Sequence, residues 1–190
     1  MEAWCTAFDA CSDHVLYTGA DDCKLKAWDL RAGTGMAAWV SVGSHGAGVC
    51  TVQPSVHREH VIFTGSYDQH LRVWDVRAPG QPVLAAALDT GGGVWRLKEH
   101  PESGDVALTA SMHGGFCCVR GLSGTAPAVA CVYEQGATCP DAMPDQPALA
   151  YGCDWYRGGV GGVGTDEDGW LVATASFYDQ EMRIWSAPWK

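Results

Sequence analysis

The chain has 190 residues and carries 22 acidic against 12 basic side chains, a net charge of −10. That balance argues against electrostatic binding of nucleic-acid phosphates and suits a cationic partner or plain solubility. No run of 18 apolar residues occurs, so no membrane span is expected; the nine cysteines show no CxxC and follow no secretory leader, which predicts reduced thiols in a cytoplasmic protein.

In chain order, short alternating segments separated by turn residues predict strands at 3–9, 14–20, 24–31 and 36–42, then at 49–54, 61–67, 70–77 and 82–88. A third group follows at 93–100, 106–112, 115–122 and 128–134, and a fourth at 149–156, 170–177 and 181–186. The segment 64–77 (TGSYDQHLRVWDVR) sets the pattern of strand, tight turn and strand, with Asp68 suited to bonding backbone N–H groups in the turn. It repeats at Thr18, Thr109 and Thr174, the first of these 46 residues upstream of Thr64. A period in the forties, with Trp28-Asp29 and Trp74-Asp75 closing strands, predicts an all-β, WD40-type β-propeller. Its blades fall at about 3–42, 45–88, 93–134 and 149–187, with a loop insertion at 157–169 and no fourth strand left for the last blade. Because a propeller ring must close, residues 1–190 are expected to form the C-terminal part of a seven-bladed ring, with a closed four-bladed ring as the alternative. The adjacent Cys117-Cys118 is expected to point to opposite faces of one strand.

Several motifs carry less than they suggest. Gly159-x-Gly161-x-x-Gly164 matches a dinucleotide fingerprint in form, but Asp166-Glu167-Asp168 follows in place of a helix that would hold phosphate. His57-Arg58-Glu59-His60 lacks zinc-ligand spacing, so no metal site is expected, and no G-x-S-x-G elbow is present. His45, Ser66, Asp68 and Trp74 fit a blade-knitting network. His113 stands where other repeats place Asp22, Asp68 and Asp179, and Val119 replaces the blade tryptophan. His113 is therefore either a variant turn residue or a general base, since imidazole titrates near neutrality.

The runs Gly92-Gly93-Val94-Trp95-Arg96-Leu97-Lys98-x-His100-Pro101, Met112-His113-x-Gly115-Phe116, Tyr151-Gly152-x-Asp154-Trp155 and Ser176-Phe177-Tyr178-Asp179 are not generic to such repeats. With His45-x-x-Gly48-Val49-Cys50 and 64–77, they resemble the diphthine methyl esterase family of the diphthamide pathway over most of the chain, most strongly from His45 to Phe116. The N-terminal third of the family and its pattern at the Gly-rich insertion are where the sequence departs. The resemblance implies hydrolysis of a methyl ester beside a trimethylammonium group on elongation factor 2, with other enzymes of that pathway as further partners and no cofactor. A quaternary ammonium is held by aromatic faces and negative charge, which Trp95, Trp155, Tyr67 and Tyr178, with Asp68, Asp154 and Asp179, offer. Ester hydrolysis needs an activated water and an oxyanion donor. His113 is assigned as base, Asp154 as its orienting partner or a cation anchor, and Arg96 as donor, with Ser66 or Ser111 as an alternative nucleophile.

The competing reading is a non-catalytic scaffold, the commoner use of this fold. Trp95 and Tyr67 then become anchors for a protein partner and His113 is incidental.

Overall fold

A computed structural model of the chain describes residues 2–78, 80–133, 148–157, 165–166 and 169–187. The expected strands form four antiparallel sheets. Three are four-stranded meanders. The first holds β1 (Ala3–Phe8), β2 (Val15–Ala20), β3 (Leu25–Asp29) and β4 (Trp39–Ser41), and the second β5 (Val49–Pro54), β6 (Val61–Ser66), β7 (His70–Asp75) and β8 (Val83–Asp89). The third holds β9 (Arg96–His100), β10 (Ser103–Ala110), β11 (Phe116–Arg120) and β12 (Ala128–Tyr133). In the last sheet, β13 (Ala150–Trp155) pairs with β15 (Gly169–Ser176), and β16 (Met182–Ala187) lies on the far side of β15. The insertion, expected as loop, contributes a short β14 (Thr165–Asp166) that pairs with the first two residues of β15. Gly169 there takes φ +153°, and a Cβ on it would fall 2.3 Å from Ala187 O. The glycines of the formal dinucleotide motif, Gly159, Gly161 and Gly164, lie outside the described residues.

The sheets are the blades of a β-propeller, stacked face to face with β1 packed on β5, β5 on β9 and β9 on β13. Side chains alternate between the two faces of each strand, so every sheet feeds two cores. Leu25, Val49, Ile62 and Trp74 fill the space between the first two sheets, and Phe63, Leu71, Leu97 and Val119 that between the second and third. Leu108, Phe116, Cys153 and Trp155 join the third to the fourth. Cys117 belongs to the second of these cores and Cys118 to the third, as expected for neighbours on one strand.

One hydrogen bond recurs inside the blades. The indole N–H of Trp28 donates to Thr18 Oγ1 at 2.9 Å, that of Trp74 to Thr64 Oγ1 at 2.9 Å, and that of Trp185 to Thr174 Oγ1 at 3.3 Å. In the second blade His45 Nε2 also meets Thr64 Oγ1 at 2.9 Å, so the knitting hydroxyl is that of Thr64 rather than Ser66. Asp68 does not reach His45. It accepts from Gly46 N at 2.6 Å and pairs with both guanidinium nitrogens of Arg72, at 2.9 and 2.7 Å. Between blades, buried Glu99 on β9 accepts from Ser55 Oγ at 2.5 Å and Val56 N at 2.7 Å.

Thr64→Val leaves a buried indole N–H and an imidazole nitrogen without partners. It is expected to destabilise the fold by about 2–4 kcal/mol, more than Thr18→Val, where one bond is lost; chemical denaturation measures both.

Burial holds the imidazoles of His45 and His100 down, each to about 4, with the nearby charge of Arg72 adding to the effect at His45 and that of His57 at His100. Both stay neutral when folded and take up protons on unfolding below about 6.5, the ordinary histidine value. Their contribution to stability is therefore full above pH 6.5 and is lost as pH drops toward 4. From these two groups the slope near pH 5 approaches two protons, about 3 kcal/mol per pH unit, measurable by denaturation across that range.

Candidate functional site at the inner-strand ends

The site grows from a repeated irregularity in the innermost strands. The register of β1 on β2 shifts between Ala3 and Cys5, that of β5 on β6 between Val49 and Thr51, and that of β13 on β15 between Ala150 and Gly152. The residues in these bulges are Trp4, Cys50 and Tyr151, and Trp95 holds the matching place just before β9. A bulge turns its extra side chain away from the regular alternation. Three of the four are aromatic, and they meet. Ring centroids lie 6.0 Å apart for Trp4 and Trp95, and 5.2 Å for Trp95 and Tyr151. The row continues to Phe177 at 5.3 Å and on to Tyr178 at 5.1 Å in the turn after β15. Tyr67, in the turn after β6, is half exposed beside it. The Tyr151 hydroxyl is pushed up by burial and by the nearness of Tyr178 and Tyr67.

His113 sits exposed at this same end, in the turn between β10 and β11. Glycines hold that turn in place. A Cβ on Gly92 would fall 2.0 Å from Ser111 O, and one on Gly114 2.5 Å from Thr90 O, so segments 90–93 and 111–115 touch backbone to backbone. The other blades cap their turn differently, with Asp22, Asp68 and Asp179 each preceding a residue of positive φ: Cys23, Gln69 and Gln180. Arg96, first residue of β9, pairs with Ala110 three residues before His113. It also lines an open cleft of about 410 Å³ between β1, β5 and β9, with Lys98, Arg157, Thr6, Thr51 and Gln53.

The remaining assigned residues lie elsewhere. Asp154 is on β13 four residues beyond Ala150, which pairs with Met112, and so stands roughly 13 Å along the strand from the His113 turn. Its carboxylate lies 3.6 Å from Lys98 Nζ, so it is an ion-pair partner of Lys98 and does not orient His113. Trp155 is buried in the core between the third and fourth blades, where its indole donates to Lys98 O at 2.9 Å and packs against the His100 ring. It offers no free face to a cation. Asp179 is buried beneath its turn and accepts from Glu181 N at 3.5 Å; its Oδ2 has no hydrogen-bond partner among the described residues. Ser66 and Ser111 are fully buried, bonded to Ala47 O and to Thr109 Oγ1, which places neither hydroxyl for nucleophilic attack. His57 is bonded to His100 O at 2.9 Å, and no cluster of three metal-binding side chains occurs among the described residues. No helix there is long and apolar enough to cross a membrane. Sequence reasoning missed Trp4 as a member of the row, and it used Tyr151 and Phe177 only as parts of motifs.

Fold and repeats define a WD40-type β-propeller protein, and the family model for "WD domain, G-beta repeat" matches residues 40–75. The chain is 39% identical over 158 residues to mouse (Mus musculus) diphthine methyltransferase, covering 82% of this chain and 30% of that protein. It is 38% identical to the human (Homo sapiens) protein of that name, over 82% of this chain and 32% of that one. The diphthine methyltransferase homolog of Dictyostelium discoideum is 30% identical, over 97% of this chain and 50% of that protein. The chain thus spans about a third to a half of the length of these relatives. A chain in the crystal structure of the mitotic checkpoint complex shares the fold at 17% identity, with a TM-score of 0.67 over 98% of this chain and 49% of that one.

Gly48 is where the Trp4 ring rests: a Cβ there would lie 2.2 Å from the indole. Gly48→Ala is expected to push Trp4 out of the row, at a cost of about 1–3 kcal/mol. Near-UV circular dichroism would record the loss of the Trp4–Trp95 contact, and a spectrum identical to the parent would refute the placement.

Proposed function

We propose that this protein acts in diphthamide biosynthesis, in the cytoplasm, by hydrolysing the methyl ester of diphthine methyl ester on elongation factor 2. The observation that carries the reading is the aromatic row, Trp4–Trp95–Tyr151–Phe177–Tyr178, standing in a chain similar to proteins named for diphthine. A trimethylammonium group donates no hydrogen bond, so its recognition rests on aromatic faces, and the exposed rings of Phe177, Tyr178 and Tyr67 supply them. The acidic surface, net −10, adds long-range attraction for a cationic side chain.

In this reading His113 removes a proton from water as the oxygen adds to the ester carbonyl, and Arg96 stabilises the oxyanion that develops. Collapse of that intermediate breaks the bond to the methoxy oxygen, and the proton returns to give methanol and a carboxylate. Arg96 and the His113 turn share one end of the third blade, which makes the pairing geometrically coherent. Asp154 drops out of the mechanism and stays with Lys98.

Elongation factor 2 bearing a labelled ester methyl group tests the reaction. The expected outcome is labelled methanol, with His113→Ala slowing its release about 10²–10⁴-fold and leaving the melting temperature unchanged, because the imidazole is exposed. Trp95→Ala is expected to raise KM more than it lowers kcat. Label passed to another acceptor would mean methyl transfer, as the relatives' name says, and would overturn hydrolysis. Tight binding of the factor with the label retained would favour a scaffold, for which the same exposed aromatics are suited anchors. Unchanged release from His113→Ala would move the base elsewhere.

A further inference from the structure

Cysteine chemistry divides sharply across the molecule. Burial pushes the thiols of Cys5, Cys50 and Cys153 up, to about 11, 12 and 12, and Cys117 also rises; such thiols are inert fillers. Cys118 and Cys131 differ. They are direct cross-strand partners on β11 and β12. Cys118 lies inside the core between the third and fourth blades, whereas Cys131 is half-buried on β12, at the sheet's outer edge. The neighbouring Cys118 thiol holds the Cys131 thiol below its ordinary value, with the Arg120 charge adding to the effect, while Cys118 is raised.

We propose that Cys118 and Cys131 form an oxidisable dithiol, a modification site at which a hydroperoxide closes a cross-strand disulfide between β11 and β12. Directly opposed residues place their Cβ atoms about 4.5–5.5 Å apart, and a disulfide needs about 3.5–4.5 Å, so closure asks for a shift of order 1 Å. The register shift between Cys118 and Val119 supplies slack at the place it is needed. In the first step the Cys131 thiolate attacks the peroxide oxygen, the O–O bond breaks, and a sulfenic acid and hydroxide result. Cys118 sulfur then displaces the sulfenic oxygen, the S–S bond forms, and the thiol proton leaves with that oxygen as water. Two thiols lose two hydrogens and one hydrogen peroxide becomes two waters. The product ties the outermost strand of the third blade to its neighbour. This site is independent of the ester chemistry.

The test is treatment of the protein with equimolar hydrogen peroxide, followed by intact mass and tryptic mapping under non-reducing conditions. Cleavage after Lys98, Arg120 and Arg157 separates the two cysteines, so the expected product joins peptide 99–120 to 121–157, with fragmentation locating the bridge at Cys118 and Cys131. Cys131→Ser should abolish it and leave Cys118 reduced, with near-UV circular dichroism confirming an intact core. In the parent, limiting iodoacetamide should label Cys131 before any buried thiol. A bridge through Cys117, Cys139 or Cys153, or a pair that stays reduced while exposed Cys11 is oxidised, would overturn the proposal.

Discussion

The indole–threonine hydrogen bond is the constraint on which the blades depend. Each blade pairs two strands through a turn of three to five residues, and such a hairpin alone is marginal in water. The bond from the tryptophan of the third strand to the threonine of the second fixes their register from within and buries a large ring against the next sheet. In the second blade Trp74, Thr64 and His45 are all buried, and the imidazole ties the connection entering the blade to the same hydroxyl. Sheet, loop and inter-blade core thus meet at one oxygen. The first and fourth blades keep the bond as well, from Trp28 to Thr18 and from Trp185 to Thr174.

The third blade abandons it, and its turn changes with it. Val119 fills the tryptophan's place, Thr109 turns to Ser111 at 2.9 Å, and His113 stands where the others cap with aspartate. Aspartate serves those turns because its carboxylate accepts the N–H groups that follow, as Asp68 does from His70 N at 3.1 Å, while the next residue takes positive φ. With Met112, at φ +44°, and Gly115, at φ +75°, carrying the conformation instead, the side chain at 113 is released from structural duty. A turn stabilised by backbone packing can hold a chemically useful residue on its tip.

Much of this was legible because repeats amplify weak signals. Thr18, Thr64, Thr109 and Thr174 align to one strand end, so the propeller and its inner strands follow from spacing, and two-residue alternation places Cys117 and Cys118 on opposite faces. Position along a strand was harder to read. Asp154 and Trp155 share a motif with Tyr151, but each residue of strand moves about 3.3 Å, which carries them from the aromatic end to Lys98 and the His100 core. Burial of Asp179 depends on its turn folding back over it, and the β14 hairpin on pairing across the insertion; neither has a local signature.

Trp4 escaped notice because nothing near it resembles a motif; its role comes from a bulge that only pairing creates. That bulge also explains how residues 91 apart in sequence, such as Trp4 and Trp95, converge. In a regular inner strand, an aromatic at this register would point into an inter-blade core, where it would compete with residues such as Val49 and Leu97. One extra residue turns it toward the strand ends instead, at Trp4 in the first blade and Tyr151 in the fourth, while Trp95 reaches the same end from just before β9. Cys50 marks the gap in the series, and Gly48 leaves room for Trp4 to lean across. The aromatic row is therefore a joint product of the blades: bulges at Trp4 and Tyr151, the residue before β9 and the turn after β15 together build a continuous π-surface from rings that no single blade could gather.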